Sequence, residues 1–250
     1  MKIIDTRSLF HDIKDRVFRT YPLVQSIFPN ASPAAVQYEL QQQGLLETGE
    51  MTLPLDVWAI VERQLHDLSS AWAGPATQLA ILPIRHGFIK NGVAYRDGIC
   101  LFVSPHISVK ELHALVTHEY HHICRQHQLK EIPTLLDSVI MEGLAEQAVE
   151  SLFGEYALSS WTTRYSLEEV QKYWQSHFLA ALHLRGLHQH HSYLFGDKSL
   201  QLPPHIGYCT GYRIIEAFLT RNGPFTTQQL LSIPSEELTL AAGFPLSKAL

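Results

Sequence analysis

The chain has 250 residues, of which 46% are hydrophobic, and it carries a formal net charge of −5 with a sequence pI near 6.3. The hydrophobic content supports a packed globular core and excludes a largely disordered chain. The acidic balance gives no electrostatic reason to expect nucleic acid or an anionic membrane as a partner.

The compartment and the absence of membrane contact are predicted from the cysteines and the apolar runs. The three cysteines lie far apart without a CxxC motif, which favours a reducing compartment over a disulfide framework. No apolar run approaches the ~20 residues that span a bilayer. Charges interrupt the amino-terminal stretch where a signal peptide would need an apolar core. We therefore expect a soluble, cytoplasmic protein.

Residues 1–75 are predicted to form a helical segment that packs on the rest of the chain. Ser32 and Pro33 stand in the order typical of an N-cap and a first helical residue. Apolar residues recur at helical spacing over 55–68, which predicts a further helix there.

Residues 78–103 predict a small antiparallel or mixed sheet of about three or four strands. An Asn-Gly pair at 91–92 and an Asp-Gly pair at 97–98 are each typical of a two-residue hairpin turn. Apolar residues fill the last strand, Ile99–Val103, and the pattern alone leaves open whether this strand lies inside the sheet or at its edge.

Two helices follow the sheet, and each begins with a recognisable cap. Ser108 and Glu111 have the spacing of a capping box at the start of the first helix. The second is predicted to begin after Thr134 and to end at Gly154. The remainder is predicted to be mostly helical, with the histidines of 188–191 in a surface loop.

The first of these helices contains the pattern H-E-x-x-H. His118 and His122 are four residues apart, so they share one helix face, about 6 Å apart along its axis, where two imidazoles can bind one zinc ion at ~2.0–2.1 Å. Glu119 is offset by about 100° and can take a proton from a water on the metal. A pair of His118 and His121 is conceivable, but it leaves no residue in the role of Glu119.

The second helix supplies the carboxylates that would complete the site. Glu142 is the predicted third ligand, since catalytic zinc usually has three protein ligands and an open position. Glu146 lies one turn later and can accept a hydrogen bond from a liganding imidazole. Gly143 costs roughly 1 kcal/mol in a helix interior, which suggests that another backbone passes close by. The alternative is that both glutamates belong to a solvated charged face.

The segments "HEYHH" (118–122) and "MEGLAE" (141–146) resemble the gluzincin zinc peptidases. Over roughly residues 76–220 the chain is similar to the predicted zinc-dependent protease family typified by bacterial YjaZ. The similarity includes "NGVAYRDGICLFV" before the zinc helix, and "YLFG" and "LPPHIGYCTGYRII" after it. Residues 1–75 carry no such resemblance.

The resemblance implies one zinc ion per chain and a role for each residue of the motif. The matching positions are His118, His122 and Glu142 as ligands, Glu119 as general base and Glu146 as the acid beside the ligands. It also implies an α+β, zincin-like (thermolysin-type) fold of two lobes, with a small sheet and the zinc helix in 76–128 and a mostly helical lobe in 129–250. It favours an edge position for the strand Ile99–Val103, which would then pair with extended substrate.

The implied activity is zinc-dependent hydrolysis of peptide bonds in a peptide or protein substrate. An oxyanion then needs donors besides zinc, and gluzincins commonly use a tyrosine or histidine from the C-terminal lobe. We predict Tyr208 for this role, with His205 second and Tyr212 on the same helix face. The alternative is that Gly207 and Gly211 mark a tightly packed core helix.

Two other functions compete with a peptidase. The chain could bind zinc and use the cleft for a peptide or partner without cleaving it, although such a role does not need Glu119. A deformylase also uses H-E-x-x-H and completes its metal site with an upstream cysteine. Cys100 is upstream, but its surroundings are those of a strand.

Overall fold

The fold is that of an α+β protein with one small sheet, as the sequence predicted. The computed structural model describes residues 1–11, 13–128 and 133–247. Within these ranges, helices account for most of the regular structure and the strands form a single sheet.

The chain divides into two compact units, residues 1–123 and 124–250. The predicted division into residues 1–75 and 76–250 rests on sequence character and stays a prediction. The predicted start of a helical lobe at residue 129 lies outside the described residues.

The sheet belongs to the first unit. Its strands in the described ranges are β1 (Lys2–Ile4), β2 (Gln78–Pro83), β3 (Lys90–Tyr95) and β4 (Gly98–Val103). Their order is β1-β2-β4-β3, with β1, β2 and β4 parallel and β3 antiparallel to β4. The edge position expected for Ile99–Val103 is therefore wrong, because β4 lies inside the sheet and β3 is the edge strand. β1 was also missed, since it comes from the segment predicted to be helical.

One of the two predicted hairpin turns forms. The strand pairing leaves Arg96 and Asp97 as the two-residue turn between β3 and β4, one position before the predicted Asp-Gly pair. The Asn-Gly pair at 91–92 lies inside β3, where Gly92 pairs with Leu101, so the turn predicted there is wrong. Gly92 instead leaves space for the side chain of Glu119.

In the described part of the chain, four α-helices lie wholly or partly in the first unit. They are α1 (Arg16–Val24), α2 (Pro33–Gln42), α3 (Val57–Trp72) and α4 (Val109–Gln128), of which the residues from Cys124 onward belong to the second unit. The predicted cap at Ser32 is confirmed, because its hydroxyl accepts a hydrogen bond from the Ala35 N–H at 3.2 Å. The carboxylate of Asp56 caps α3 in the same way.

The two central strands of the sheet, β2 and β4, are buried on both faces. Ala80, Leu82, Cys100 and Phe102 point to one face and share a core with apolar residues of α1 and α2. Their neighbours along β2 and β4 point to the opposite face and are also fully buried. Strands covered on both faces have apolar residues at consecutive positions, which explains the unbroken apolar run of Ile99–Val103.

The second unit is helical in its described part. Its helices are α5 (Leu135–Phe153), α6 (Leu167–Tyr173), α7 (Leu187–Phe195), α8 (Ile206–Asn222), α9 (Thr227–Ser232) and α10 (Ser235–Ala241). A π-helical segment, Trp174–Phe178, continues α6. The predicted cap at Thr134 is confirmed as a capping box with Asp137, and α5 ends at Gly154 as expected.

α5 and α8 cross at a pair of glycines. A Cβ atom added to Gly143 would lie 2.2 Å from the carbonyl carbon of Gly211, and one added to Gly211 would lie 2.0 Å from the Val139 carbonyl oxygen. Any side chain at either position would collide with backbone. The close backbone approach inferred from Gly143 is therefore confirmed.

The histidine stretch assigned to a surface loop is helical instead, because it forms the middle of α7. His190 is fully buried there, and its Nδ1 and the Ser138 hydroxyl lie 2.8 Å apart. Its Nε2 lies 2.9 Å from the Leu184 carbonyl oxygen. His190 is thus a satisfied core histidine.

No helix within the described ranges is both long enough and apolar enough to cross a membrane.

Candidate metal centre

Local contacts fix the position of α4 in the first unit. The predicted capping box is confirmed, since the Ser108 hydroxyl accepts from the Glu111 N–H at 3.2 Å and the Glu111 carboxylate accepts from the Ser108 N–H at 3.0 Å. Farther along, the Tyr120 hydroxyl donates to the Pro75 carbonyl at 3.0 Å, and its ring stacks on Trp72. These contacts orient the helix before any ligand is considered.

Two of the three motif histidines point to one place, and the third points elsewhere. His121 is fully buried with its ring edge-on to Trp72 at 5.8 Å. The rings of His118 and His122 instead lie next to each other in an edge-to-face arrangement, with centroids 4.6 Å apart. The i,i+4 pair therefore forms the candidate site, and His121 is a core residue of the first unit.

His118, His122 and Glu142 form a group that can hold a metal ion. One ligand atom from each residue lies within 4.8 Å of the others. His122 and Glu142 are 7% and 9% exposed, whereas His118 is only partly buried.

The donor set fits a catalytic zinc site. Two imidazole nitrogens and one carboxylate oxygen are the ligands of one common class of catalytic zinc sites. Ligands ~2.0–2.2 Å from one ion in tetrahedral arrangement lie about 3.4 Å apart. The 4.8 Å limit is close enough to that spacing for small side-chain rotations to close it.

Glu119 is buried, at 5% exposure, and sits against the edge strand. A Cβ atom added to Gly92 of β3 would lie 2.6 Å from both Cγ and Oε1 of Glu119. The side chain of Glu119 therefore occupies space that only a glycine at position 92 leaves open. Sequence reasoning missed this relation, because an Asn-Gly pair is also the commonest hairpin signal.

Cys100 lies on the wrong face of the sheet for a deformylase-type metal site. In the β3–β4 ladder, Gly92 is paired with Leu101 and Val93 with Cys100, so Gly92 and Cys100 face opposite sides. Glu119 is on the side of Gly92, whereas Cys100 is in the core with α1 and α2. Burial also raises the pKa of the Cys100 thiol, with a smaller contribution from Glu39, which disfavours the thiolate.

The two predicted glutamates of α5 are both buried, at 9% and 1% exposure for Glu142 and Glu146. The alternative of a solvated charged face is therefore wrong. The Glu146 carboxylate accepts hydrogen bonds from the N–H and the hydroxyl of Ser159, at 2.9 and 2.8 Å. Its predicted contact with a liganding imidazole stays a prediction.

Helix α8 passes beside Glu142 through the glycine crossing. Gly207 lies against α7 as Gly211 lies against α5, so the tight packing expected from these two glycines is confirmed. The Tyr212 hydroxyl donates to Glu150 at 3.0 Å, and burial together with this carboxylate raises the pKa of Tyr212. The Tyr212 hydroxyl is therefore already hydrogen-bonded to a residue of α5.

Tyr208 and His205 lie at the start of the same helix in a group of aromatic rings. Tyr208 is half-buried against Trp161 and Phe195, each with ring centroids 5.0 Å away, and His205 is its third ring neighbour. Burial, with a smaller contribution from Arg164, lowers the pKa of His205. The role of Tyr208 or His205 in stabilising an oxyanion stays a prediction.

A buried arginine that sequence reasoning did not single out lies one turn after the motif. Arg125 donates to the carbonyls of Leu231 and Ile233 and to the Ser235 hydroxyl, which in turn donates to Asp137 of the α5 capping box. The only sequence signal was an arginine near the end of a helix, which is common.

Comparison with known proteins agrees with the site. Residues 57–239 match the sequence profile of the family described as Predicted Zn-dependent protease (DUF2268). The chain is 35% identical to the uncharacterized protein YjaZ of Bacillus subtilis (strain 168) over 187 residues, which cover 70% of this chain and 71% of that protein. It is 26% identical to the uncharacterized protein YjfC of the same organism over 136 residues, 50% of this chain and 45% of that one. The chain belongs to the family of predicted zinc-dependent proteases.

Proposed function

We propose that this protein is a zinc-dependent peptidase. The observation that carries the proposal is the convergence of His118, His122 and Glu142 within 4.8 Å, with the buried carboxylate of Glu119 adjacent to His118 on α4. Family membership supports the same reaction class. We extend the proposal to the zincin-like fold and to a cytoplasmic location.

Each residue of the proposed site would have its own role in the reaction. His118, His122 and Glu142 would hold the metal, which when bound supplies a Lewis acid that polarises a carbonyl and acidifies a water molecule. Glu119 would accept the proton of the attacking water on its carboxylate and deliver it to the leaving amine. Tyr208 would donate its hydroxyl proton in a hydrogen bond to the oxyanion, with His205 as the alternative donor.

The substrate would be an extended segment of a peptide or protein. β3 is the edge strand beside Glu119, and edge strands bind extended peptides through backbone hydrogen bonds. This assigns to β3 the pairing role that the sequence had suggested for β4.

Metal content is the first test. We expect one zinc ion per chain, a reduced zinc affinity in Glu142→Ala and in His122→Gln, and unchanged zinc affinity in His127→Gln. His127 is an exposed histidine of the same helix, outside the ligand group, and so provides the matched control. Equal zinc affinity in all three variants would contradict the ligand assignment.

Cleavage of an unstructured protein, such as a denatured casein, tests the activity. We expect chelator-sensitive cleavage that zinc restores, and a loss of about 10²–10⁴-fold in Glu119→Gln with zinc content unchanged. Glu111→Gln is the control, because Glu111 caps the start of the same helix and lies outside the ligand group. One zinc per chain without cleavage would favour the alternative, a zinc-binding protein that binds a peptide or partner.

A further inference from the structure

The edge strand β3 has a glycine, Gly92, where the side chain of Glu119 packs against it. A Cβ at Gly92 would lie 2.6 Å from Cγ and 2.8 Å from Cδ of Glu119, closer than real Cβ atoms approach a neighbour. Gly92 has an ordinary extended backbone paired with Leu101, so no turn or left-handed conformation requires glycine there. The position is therefore explained by the space that the Glu119 side chain needs.

The opposite face of β3 is attached to α2 on both sides of Gly92. The Asn91 side-chain amide donates to the backbone carbonyl of Gln43 at 3.0 Å and to its side-chain oxygen at 3.1 Å. The Tyr95 hydroxyl donates to the Glu39 carboxylate at 2.9 Å. The Gln43 side chain donates to the same Glu39 oxygen at 3.0 Å. Four side chains thus form one hydrogen-bonded network along the strand.

This network joins a segment inside the family match to a segment outside it. The family profile matches residues 57–239, which include β3 and Glu119. Glu39 lies in α2 and Gln43 is its C-cap residue, so both come before the matched range. The side chains that accept hydrogen bonds from β3 thus come from a segment outside the family match.

We propose that Gly92 and the α2 network are a positioning device for Glu119. Gly92 leaves the space that the carboxylate side chain fills, and the network of Glu39, Gln43, Asn91 and Tyr95 keeps the strand at that distance. The amino-terminal segment thereby takes part in catalysis without touching substrate. The catalytic consequence rests on the proposed peptidase function, whereas the steric relation does not.

A double-mutant cycle on thermal unfolding tests the steric relation in the full chain. Gly92→Ala should lower the unfolding midpoint by about 2–4 °C in the wild-type background, because Glu119 must leave its position. In the Glu119→Ala background the same change should raise the midpoint, since alanine is compatible with an extended backbone and restricts the unfolded chain. An equal shift in both backgrounds would overturn the proposal.

Gly98→Ala is the matched control in the same sheet. A Cβ at Gly98 would lie 2.8 Å from the Gln78 carbonyl oxygen and 3.0 Å from an Ile27 side-chain carbon, and residue 119 is not among its close neighbours. Its cost should be the same with glutamate or alanine at position 119. If the shift in unfolding midpoint caused by Gly98→Ala also changed sign in the Glu119→Ala background, the sign change at Gly92 would not be specific to Glu119. The proposal would then fail.

Peptidase kinetics test the positioning role. Gly92→Ala should lower kcat about 10²-fold with KM and zinc content unchanged, as expected for a displaced base. Starting from Glu119→Asp, whose shorter side chain leaves room for the alanine, adding Gly92→Ala should lower kcat less than about threefold. A 10²-fold loss in both backgrounds would overturn the positioning role. If wild type cleaved nothing, the peptidase proposal would fail while the unfolding cycle still decided the steric one.

The double variant Asn91→Ala/Tyr95→Phe tests the network by removing both attachments of β3 to α2. We expect kcat to fall about tenfold, with KM and zinc content unchanged. Tyr38→Phe is its control, since Tyr38 lies next to Glu39 on α2 and is 64% exposed. Full activity in the double variant would show that α2 has no part in positioning Glu119.

Discussion

Residues 1–123 and residues 124–250 each place a glycine beside a proposed functional glutamate, but the two glycines make room for different atoms. Gly92 makes room for the side chain of Glu119, whereas Gly143, next to Glu142, makes room for the backbone of α8. A side chain can rotate away from an added methyl group, but a helix backbone cannot. Replacement of the glycine by alanine should therefore reduce mainly activity in the first region and mainly stability in the second.

The largest stability effect should come from Gly143→Ala. Its Cβ would meet the Gly211 backbone at 2.2 Å, so α5 and α8 would have to separate, at a cost of about 3–4 kcal/mol in the free energy of unfolding. Urea unfolding measures this loss. The control Leu152→Ala removes a half-exposed side chain from the same helix and should cost less than about 0.5 kcal/mol. A Gly143→Ala protein as stable as wild type would show that the two helices separate easily.

The next largest effect should be that of Arg16→Leu in the first region. The Arg16 guanidinium is fully buried and donates to the carbonyls of Leu9, His11 and Leu46 at 2.7–2.9 Å. Leucine would leave these buried oxygens unsatisfied, which should cost about 2–3 kcal/mol. Arg19→Leu, on the exposed side of the same helix, provides the comparison. Equal unfolding midpoints for the two variants would contradict the assigned role.

The capping boxes of α4 and α5 should differ in strength. Glu111 caps α4 through Ser108, while Asp137 caps α5 and also accepts a hydrogen bond from Ser235 at 2.6 Å. Asp137→Ala should cost about 2 kcal/mol and Glu111→Ala about 1 kcal/mol or less, measured by chemical unfolding. The reverse order would show that the Ser235 contact adds nothing.

The smallest effect should be the pH dependence of stability due to Glu150. Burial is the largest cause that raises the pKa of this carboxyl, although the hydrogen bond from Tyr212 opposes it. Since the folded chain then holds the proton more tightly than the unfolded chain, this group lowers stability as the pH rises from about 4.5 through the raised pKa. Glu150→Gln should remove that decline, worth less than about 1 kcal/mol. Identical unfolding curves against pH for the two proteins would contradict it.

Much of the site was predictable because its signals are local. The caps of α4 and α5 depend on residues three apart, and the i,i+4 spacing of His118 and His122 follows from helix geometry alone. Glu142 and Gly143 stood out together because both lie on one predicted helix and a mid-helix glycine needs a reason. For the same reason, the α+β class and the family could be predicted.

The errors concern contacts between residues far apart in sequence. The pattern of Ile99–Val103 is the same for an interior and an edge strand, and only the pairing of β4 with both β2 and β3 distinguishes them. Nothing in the sequence around His190 indicates that its ring contacts Ser138, 52 residues earlier. β1 is only three residues long and is defined by its pairing with β2.

The sequence by itself determined which residues can bind a metal, since ligand chemistry and helical spacing are properties of a short segment. Tertiary structure decided what surrounds them. The Asn-Gly pair at 91–92 has two possible uses, a hairpin turn or a close approach. The choice depended on Glu119, 27 positions beyond Gly92, and on α2, which holds the strand from its other face. Steric exclusion acts between atoms that meet only after folding, so no local pattern encodes it.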